Sequence, residues 1–168
     1  MKNFVAVLLA ALGLSGCAGY HIGNVKPHYL EGINSIAVPT FHNQTFQPNI
    51  EVLLTNTVIK QLQQDGTFRI ANIHDADATL KGTIQAIGRT PVRSVRGNVL
   101  ATTEFNLTIT VSYTLVDRSG RTLTGPSPVA GTTSFFVGSD VTADERQALP
   151  LATEDLAVRL TSALSEGW

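Results

Sequence analysis

Phe105-Asn106-Leu107-Thr108-Ile109-Thr110-Val111-Ser112-Tyr113-Thr114-Leu115 carries the strongest period in the chain: every second residue is apolar, and Asn, Thr and Ser fill the positions between. Successive side chains of a strand point to opposite faces, so this alternation predicts a strand with one face on a core and the other left open. Outward from it, Asp117-Arg118-Ser119-Gly120 is a turn signal followed by Arg121 to Thr124. Val129 to Val137 continues the return strand after the interruption Gly125-Pro126-Ser127-Pro128. On the other side, Leu80, Gly82, Ile84 and Ala86 alternate with Thr79, Lys81, Thr83 and Gln85 in a further strand. Phe68 and Ile70 mark a brief one, and Ile33-Asn34-Ser35-Ile36-Ala37-Val38, ended by Pro39, reads as a buried first strand.

Two helices complete the pattern. Pro48 and Asn49 open a segment in which Ile50, Leu53, Leu54, Val58 and Leu62 recur at helical spacing. Glu51 stands in its first turn, Lys60 near its end and Gly66 just past it. Near the C-terminus, Thr142 and Glu145 match a capping box. Leu149, Ala152, Leu156, Leu160, Ala163 and Leu164 then hold the helical period, while Pro150 predicts a kink or division, with the main body at Leu151 to Ser165. Helices with one apolar face and a sheet with one apolar face satisfy each other. The expected architecture is a two-layer α/β sandwich: a mixed, mostly antiparallel sheet of about four strands with both helices on one face. It forms a single domain over 33–168.

The N-terminus has a different character. Met1-Lys2-Asn3 precedes the apolar run Phe4 to Leu14 and the small residues Ser15-Gly16, the pattern of a secretion signal over 1–16. The run is too short for the roughly 20 apolar residues that span a bilayer. Leu14-Ser15-Gly16-Cys17 resembles the bacterial lipobox, which implies that Cys17 becomes an acylated N-terminus; the alternative is an ordinary signal cut nearby that leaves a free thiol. Ala18, where lipoproteins kept in the inner membrane typically carry Asp, implies sorting to the periplasmic face of the outer membrane. Residues 17–32, with Pro27, several glycines and no apolar period, read as a lipidated tether.

Composition narrows the chemistry. Lys plus Arg number 12 and Asp plus Glu 13, with no basic run, so no electrostatic case exists for a nucleic-acid partner. Charged residues make up 15%, against about 25% in an average soluble domain. A single cysteine excludes an internal disulfide framework. His21, His28, His42 and His74 form no metal-binding spacing, and no nucleophile elbow or phosphate-binding glycine loop occurs, so no catalytic residue, metal or cofactor is expected. Asp75 and Asp77 read as turn residues before a strand. Arg89, Arg93 and Arg96, with Pro91 and Gly97, read as an exposed basic loop between two long strands. Such a cluster could pair with phosphates or with acidic groups of a partner, or simply remain solvated. Arg118 and Arg121 flank the opposite turn.

Ile36-Ala37-Val38-Pro39-Thr40-Phe41-His42-Asn43-Gln44-Thr45, the proline-led helix ending near Asp65-Gly66, the strand from Asp77-Ala78 through Gly82, and the Thr-rich strand ending at Leu115-Val116-Asp117-Arg118 together resemble the LptE family. The resemblance implies a non-enzymatic lipoprotein that partners and plugs the large β-barrel translocon of lipopolysaccharide, supports its assembly and contacts lipopolysaccharide. Thr108, Thr110, Ser112 and Thr114 would then face the barrel, and Arg89, Arg93 and Arg96 would contact lipopolysaccharide or the partner. The alternatives are another α/β outer-membrane lipoprotein, such as a peptidoglycan-synthase regulator or secretion-channel component, and an enzyme.

Overall fold

The computed structural model describes residues 26–95 and 98–166. A 3-10 turn at His28–Leu30 leads into β1 (Ser35–Ala37) and β2 (His42–Asn43), then α1 (Ile50–Asp65), β3 (Arg69–Ile70), β4 (Ala78–Val95), β5 (Asn98–Asp117), β6 (Thr122–Phe136) and α2 (Val141–Ser165). The six strands form one sheet in the order β3-β1-β4-β5-β6, with β2 also paired to β4. The long strands β4, β5 and β6 are antiparallel, whereas β1 pairs parallel to β3 and β4, and β2 parallel to β4. The α/β class is the expected one. The additional strands are short, and the two residues of β2 are too few for a period to show.

The alternating stretch behaves as its pattern requires. Leu107, Ile109, Val111 and Leu115 are completely buried and Tyr113 nearly so, while Thr108, Thr110, Ser112 and Thr114 are half-buried on the opposite face. The apolar row meets Leu54, Val58 and Leu62 of α1 and Leu156, Leu160 and Leu164 of α2 in one core. Each such side chain removed from water contributes about 1.5–3 kcal/mol. The packed body begins before Ile33: Leu30, in the segment read as tether, is fully buried, and Lys26 Nζ donates to Ile33 O at 2.8 Å.

Glycine sets two close approaches. A Cβ at Gly82 would lie 2.5 Å from the ring of Phe41, and one at Gly131 would overlap Ala152 O and the backbone of Leu156. Phe41 therefore crosses β4 at Gly82, and α2 crosses β6 at Gly131.

Four local expectations are corrected. The capping residue of α2 is Asp140, not Thr142: its carboxylate accepts from Thr142 N at 2.9 Å and Ala143 N at 3.1 Å. Pro150 does not divide the helix, which runs from Val141 to Ser165. Pro150 lies on the exposed side, and so does Arg146, whose carbonyl loses its intrahelical donor and can turn to water. The prolines of Gly125-Pro126-Ser127-Pro128 do not end β6, and the expected interruption is confined to a register shift against β5 between Tyr113 and Leu115. Pro128 pairs with Ser112 in the register, so its nitrogen faces away from β5, where a missing donor breaks no ladder bond. Finally, Ala86 does not continue the buried row of β4. A bulge between Ile84 and Ala86 shifts the phase, so Ala86 is exposed opposite Thr110 and Ile87 packs against the core opposite Ile109.

Candidate functional site

The open face of the long strands is rich in hydroxyl and amide side chains and poor in charge. On β5 it presents Asn106, Thr108, Thr110, Ser112 and Thr114. Opposite these, β6 contributes Ser134, Thr132, Ala130 and Pro128, and β4 contributes Thr90, Gly88, Ala86, Thr83 and Lys81. Within this block Lys81 is the charged group. The helices occupy the other side, so this surface is not covered by the fold itself.

Its edge is closed to further pairing at several points. In an antiparallel ladder, residues with the parity of Pro128 direct their nitrogens outward, away from β5. Pro126 and Pro128 have no N–H to offer, and Thr132 N donates to Asp155 Oδ2 of α2 at 2.8 Å. Desolvation alone would raise the Asp155 pKa, but the hydrogen bonds from Arg159 and Thr132 outweigh it and hold the carboxyl below its ordinary value.

The arginines do not form a loop. Arg89 and Arg93 lie within β4, which pairs with β5 almost to the turn, and Arg96 lies outside the described residues. The strand passes through Pro91 because β4 has no neighbour on its outer side there, and the irregularity shows as register shifts against β5 between Pro91 and Val95. The bulge also changes where Arg89 points. Arg89 is opposite Leu107, on the helix side of the sheet, where its Nη1 pairs with Glu145 Oε2 at 2.7 Å and its guanidinium stands 5.7 Å from the Phe105 ring centroid. Phe105 in turn stacks on Phe135, centroid to centroid 5.9 Å. Arg93 falls opposite Glu104 in the register. The structure thus separates the Thr-rich face from Arg89, and it supplies a counter-charge, Glu145, that no local signal in the sequence connects to Arg89.

The opposite end of the sheet is tied together by polar groups. Asp77 Oδ2 accepts from Ser35 Oγ at 2.8 Å, Ser35 N at 3.0 Å and Asn34 N at 3.1 Å, joining β1 to the start of β4. Those hydrogen bonds, Ser35 Oγ foremost, lower the Asp77 pKa. Arg118 donates to the carbonyls of Asp75 and Ala76, so both it and the Asp75–Asp77 segment have structural partners. Arg121 pairs with Asp117 at 3.1 Å. Among the described residues, no group of three His, Cys, Asp or Glu side chains could hold a metal ion, and no helix is long and apolar enough to cross a membrane. Cys17 and residues 1–16, read above as a secretion signal, lie outside the described residues.

Solved bacterial structures share this fold at low sequence identity. A minor lipoprotein from Acinetobacter baumannii is similar over 81% of this chain and 95% of its own, with 18% identity and a TM-score of 0.55. A protein from Xanthomonas campestris is similar over 80% of this chain and 86% of its own, with 15% identity and a TM-score of 0.57. No curated protein matches the sequence significantly. The model of the LptE family, described as lipopolysaccharide-assembly, matches residues 33–164, the whole sheet and nearly all of both helices, and the chain belongs to that family.

Proposed function

We propose that this member of the lipopolysaccharide-assembly family is a non-enzymatic lipoprotein, held to the periplasmic face of the outer membrane by acyl chains on Cys17. In this reading it partners the large β-barrel that delivers lipopolysaccharide and sits partly within the barrel lumen. The observation that carries the reading is the open face centred on Thr108, Thr110, Ser112 and Thr114. Barrel interiors are polar. Hydroxyl and amide groups can exchange water for such a wall at modest cost, whereas unpaired charges could not. A photo-crosslinker at Thr110 or Arg93 should trap the barrel in cells, and one at Val158 on the exposed side of α2 should not. Capture from Val158 with none from Thr110 or Arg93 overturns the orientation.

Lipopolysaccharide contact falls to the arginines of the long hairpin. Arg93 and Arg96 supply cationic forks suited to phosphate groups, and Arg89 adds a third only by exchanging Glu145 for phosphate. Joint replacement by Ser should weaken lipopolysaccharide binding several-fold and flatten its salt dependence, while the protein stays folded. Binding unchanged in affinity and salt response excludes these residues.

A further inference from the structure

The loop between β2 and α1 displays an aromatic ring that the fold does not use. Phe46 is fully exposed, yet the backbone around it is fixed. Asn43 Nδ2 donates to Gln47 O at 2.8 Å and to Glu51 Oε2 at 3.0 Å, and Asn43 Oδ1 accepts from Thr45 N and Thr45 Oγ1, both at 2.8 Å. On the strand side, Gln44 N donates to Ile84 O at 3.0 Å. The loop therefore presents Phe46 in one arrangement, and little conformational freedom remains to be lost on contact.

The surroundings match the anatomy of a protein contact. A cleft of about 400 Å³ lies beside the ring, lined by Gln44, Gln85, Ile87 and Glu145 among others. Glu145 is already paired with Arg89. An apolar anchor thus stands within a rim of neutral amides and a compensated ion pair, the arrangement that concentrates binding energy in one aromatic residue. A surface without net positive charge does not select an anionic membrane. Position argues the same way. The register His42↔Thr83 places the loop five residues along β4 from Ala78, roughly 17 Å at strand rise, on the flank of the body. The cleft lining includes Ala86, which stands opposite Thr110 on the open face proposed above to meet the barrel, so one partner surface covers both.

We propose that Phe46 is the anchor by which this flank docks into an apolar pocket, rimmed by neutral hydrogen-bonding groups, in the wall of the barrel protein. The assignment rests on the barrel-partner reading above.

The test uses the full-length, membrane-targeted chain carrying an affinity tag. It measures co-purification of a heat-modifiable β-barrel protein from mild detergent, together with photo-crosslinking from position 46. Phe46→Ser should reduce the captured barrel at least tenfold and Phe46→Trp should retain it, with melting temperatures equal to that of the wild type. The crosslinker should trap the barrel protein. Barrel capture by Phe46→Ser at the wild-type level overturns the anchor and leaves the partner reading standing. A crosslink to lipopolysaccharide or to a second copy of the chain, in place of the barrel, also overturns the anchor. Failure of the wild type to capture any barrel overturns both.

Discussion

Phe41 and Gly82 show how much one missing methyl group decides. Phe41 is almost wholly buried across β4, and its amide N–H donates to Thr55 Oγ1 of α1 at 3.0 Å. The ring thereby links the strand, the β2 segment and the first helix. Gly82→Ala would drive a Cβ into that ring, and overpacking of this kind costs about 1–3 kcal/mol. Urea denaturation should show the loss, and Phe41→Leu should relieve part of it in the double variant. At this scale the sequence was only partly legible. Gly82 could be placed on the apolar row of its strand, but its need for glycine depends on Phe41, distant in the chain. Asp77 could be read as a turn residue, but its donors are at Asn34 and Ser35. Glu145 fitted a capping box because its spacing from Thr142 is correct, yet the cap is Asp140 and Glu145 reaches Arg89 instead. Local spacing reports local bonds, and each of these partners comes from a different element.

Among the elements, those with many repeats of their period were the most legible. β5 and both helices follow from their apolar positions, with Ala163 and Leu53 partly buried at the borders of the stripes. Where prolines occur, sequence reasoning treated a missing donor as a break, and the outcome depended on where that donor would have pointed. In β6 it would have pointed outward. In α2 it would have served a carbonyl on the solvent side. Pro150→Ala should restore that bond and raise stability by about 1–2 kcal/mol, below the roughly 3 kcal/mol penalty of proline in a regular helix interior because the freed carbonyl already faces water. A thermal melt checks the sign; a lower melting temperature would show that the helix needs the proline. The basic segment was misread for the same reason. Pro91 and Gly97 suggested a loop, but Pro91 occupies an outer strand position, and the strand passes through it.

For the molecule as a whole, low charge has a measurable counterpart in its response to acid. Asp77, Asp117 and Asp155 all have pKa values below the ordinary aspartate value, held there by hydrogen bonds that the unfolded chain lacks. For Asp117 the leading donor is Ser119, with Arg121 adding to it. A carboxylate whose folded pKa is depressed stabilises the fold above its unfolded pKa, near 3.9, and loses that contribution as pH falls through the folded value. Stability should therefore be flat with respect to these groups above about pH 5 and decline below about pH 4. Asp77→Asn should be less stable at neutral pH and show a shallower acid limb. An unchanged limb would mean that Asp77 does not contribute. The bulge at Gln85 has a different reach. It divides β4 into two segments written in opposite phase, so the residue on a given face is set by counting from Gln85 as well as by side-chain identity. Removing Gln85 would bring the two segments into one frame with Arg89 still opposite Leu107, whereas pairing Gln85 regularly with Thr110 would turn Arg89 to the open face and Gly88 and Thr90 to the helix side, rewriting the outer half of the partner-facing surface without altering a side chain.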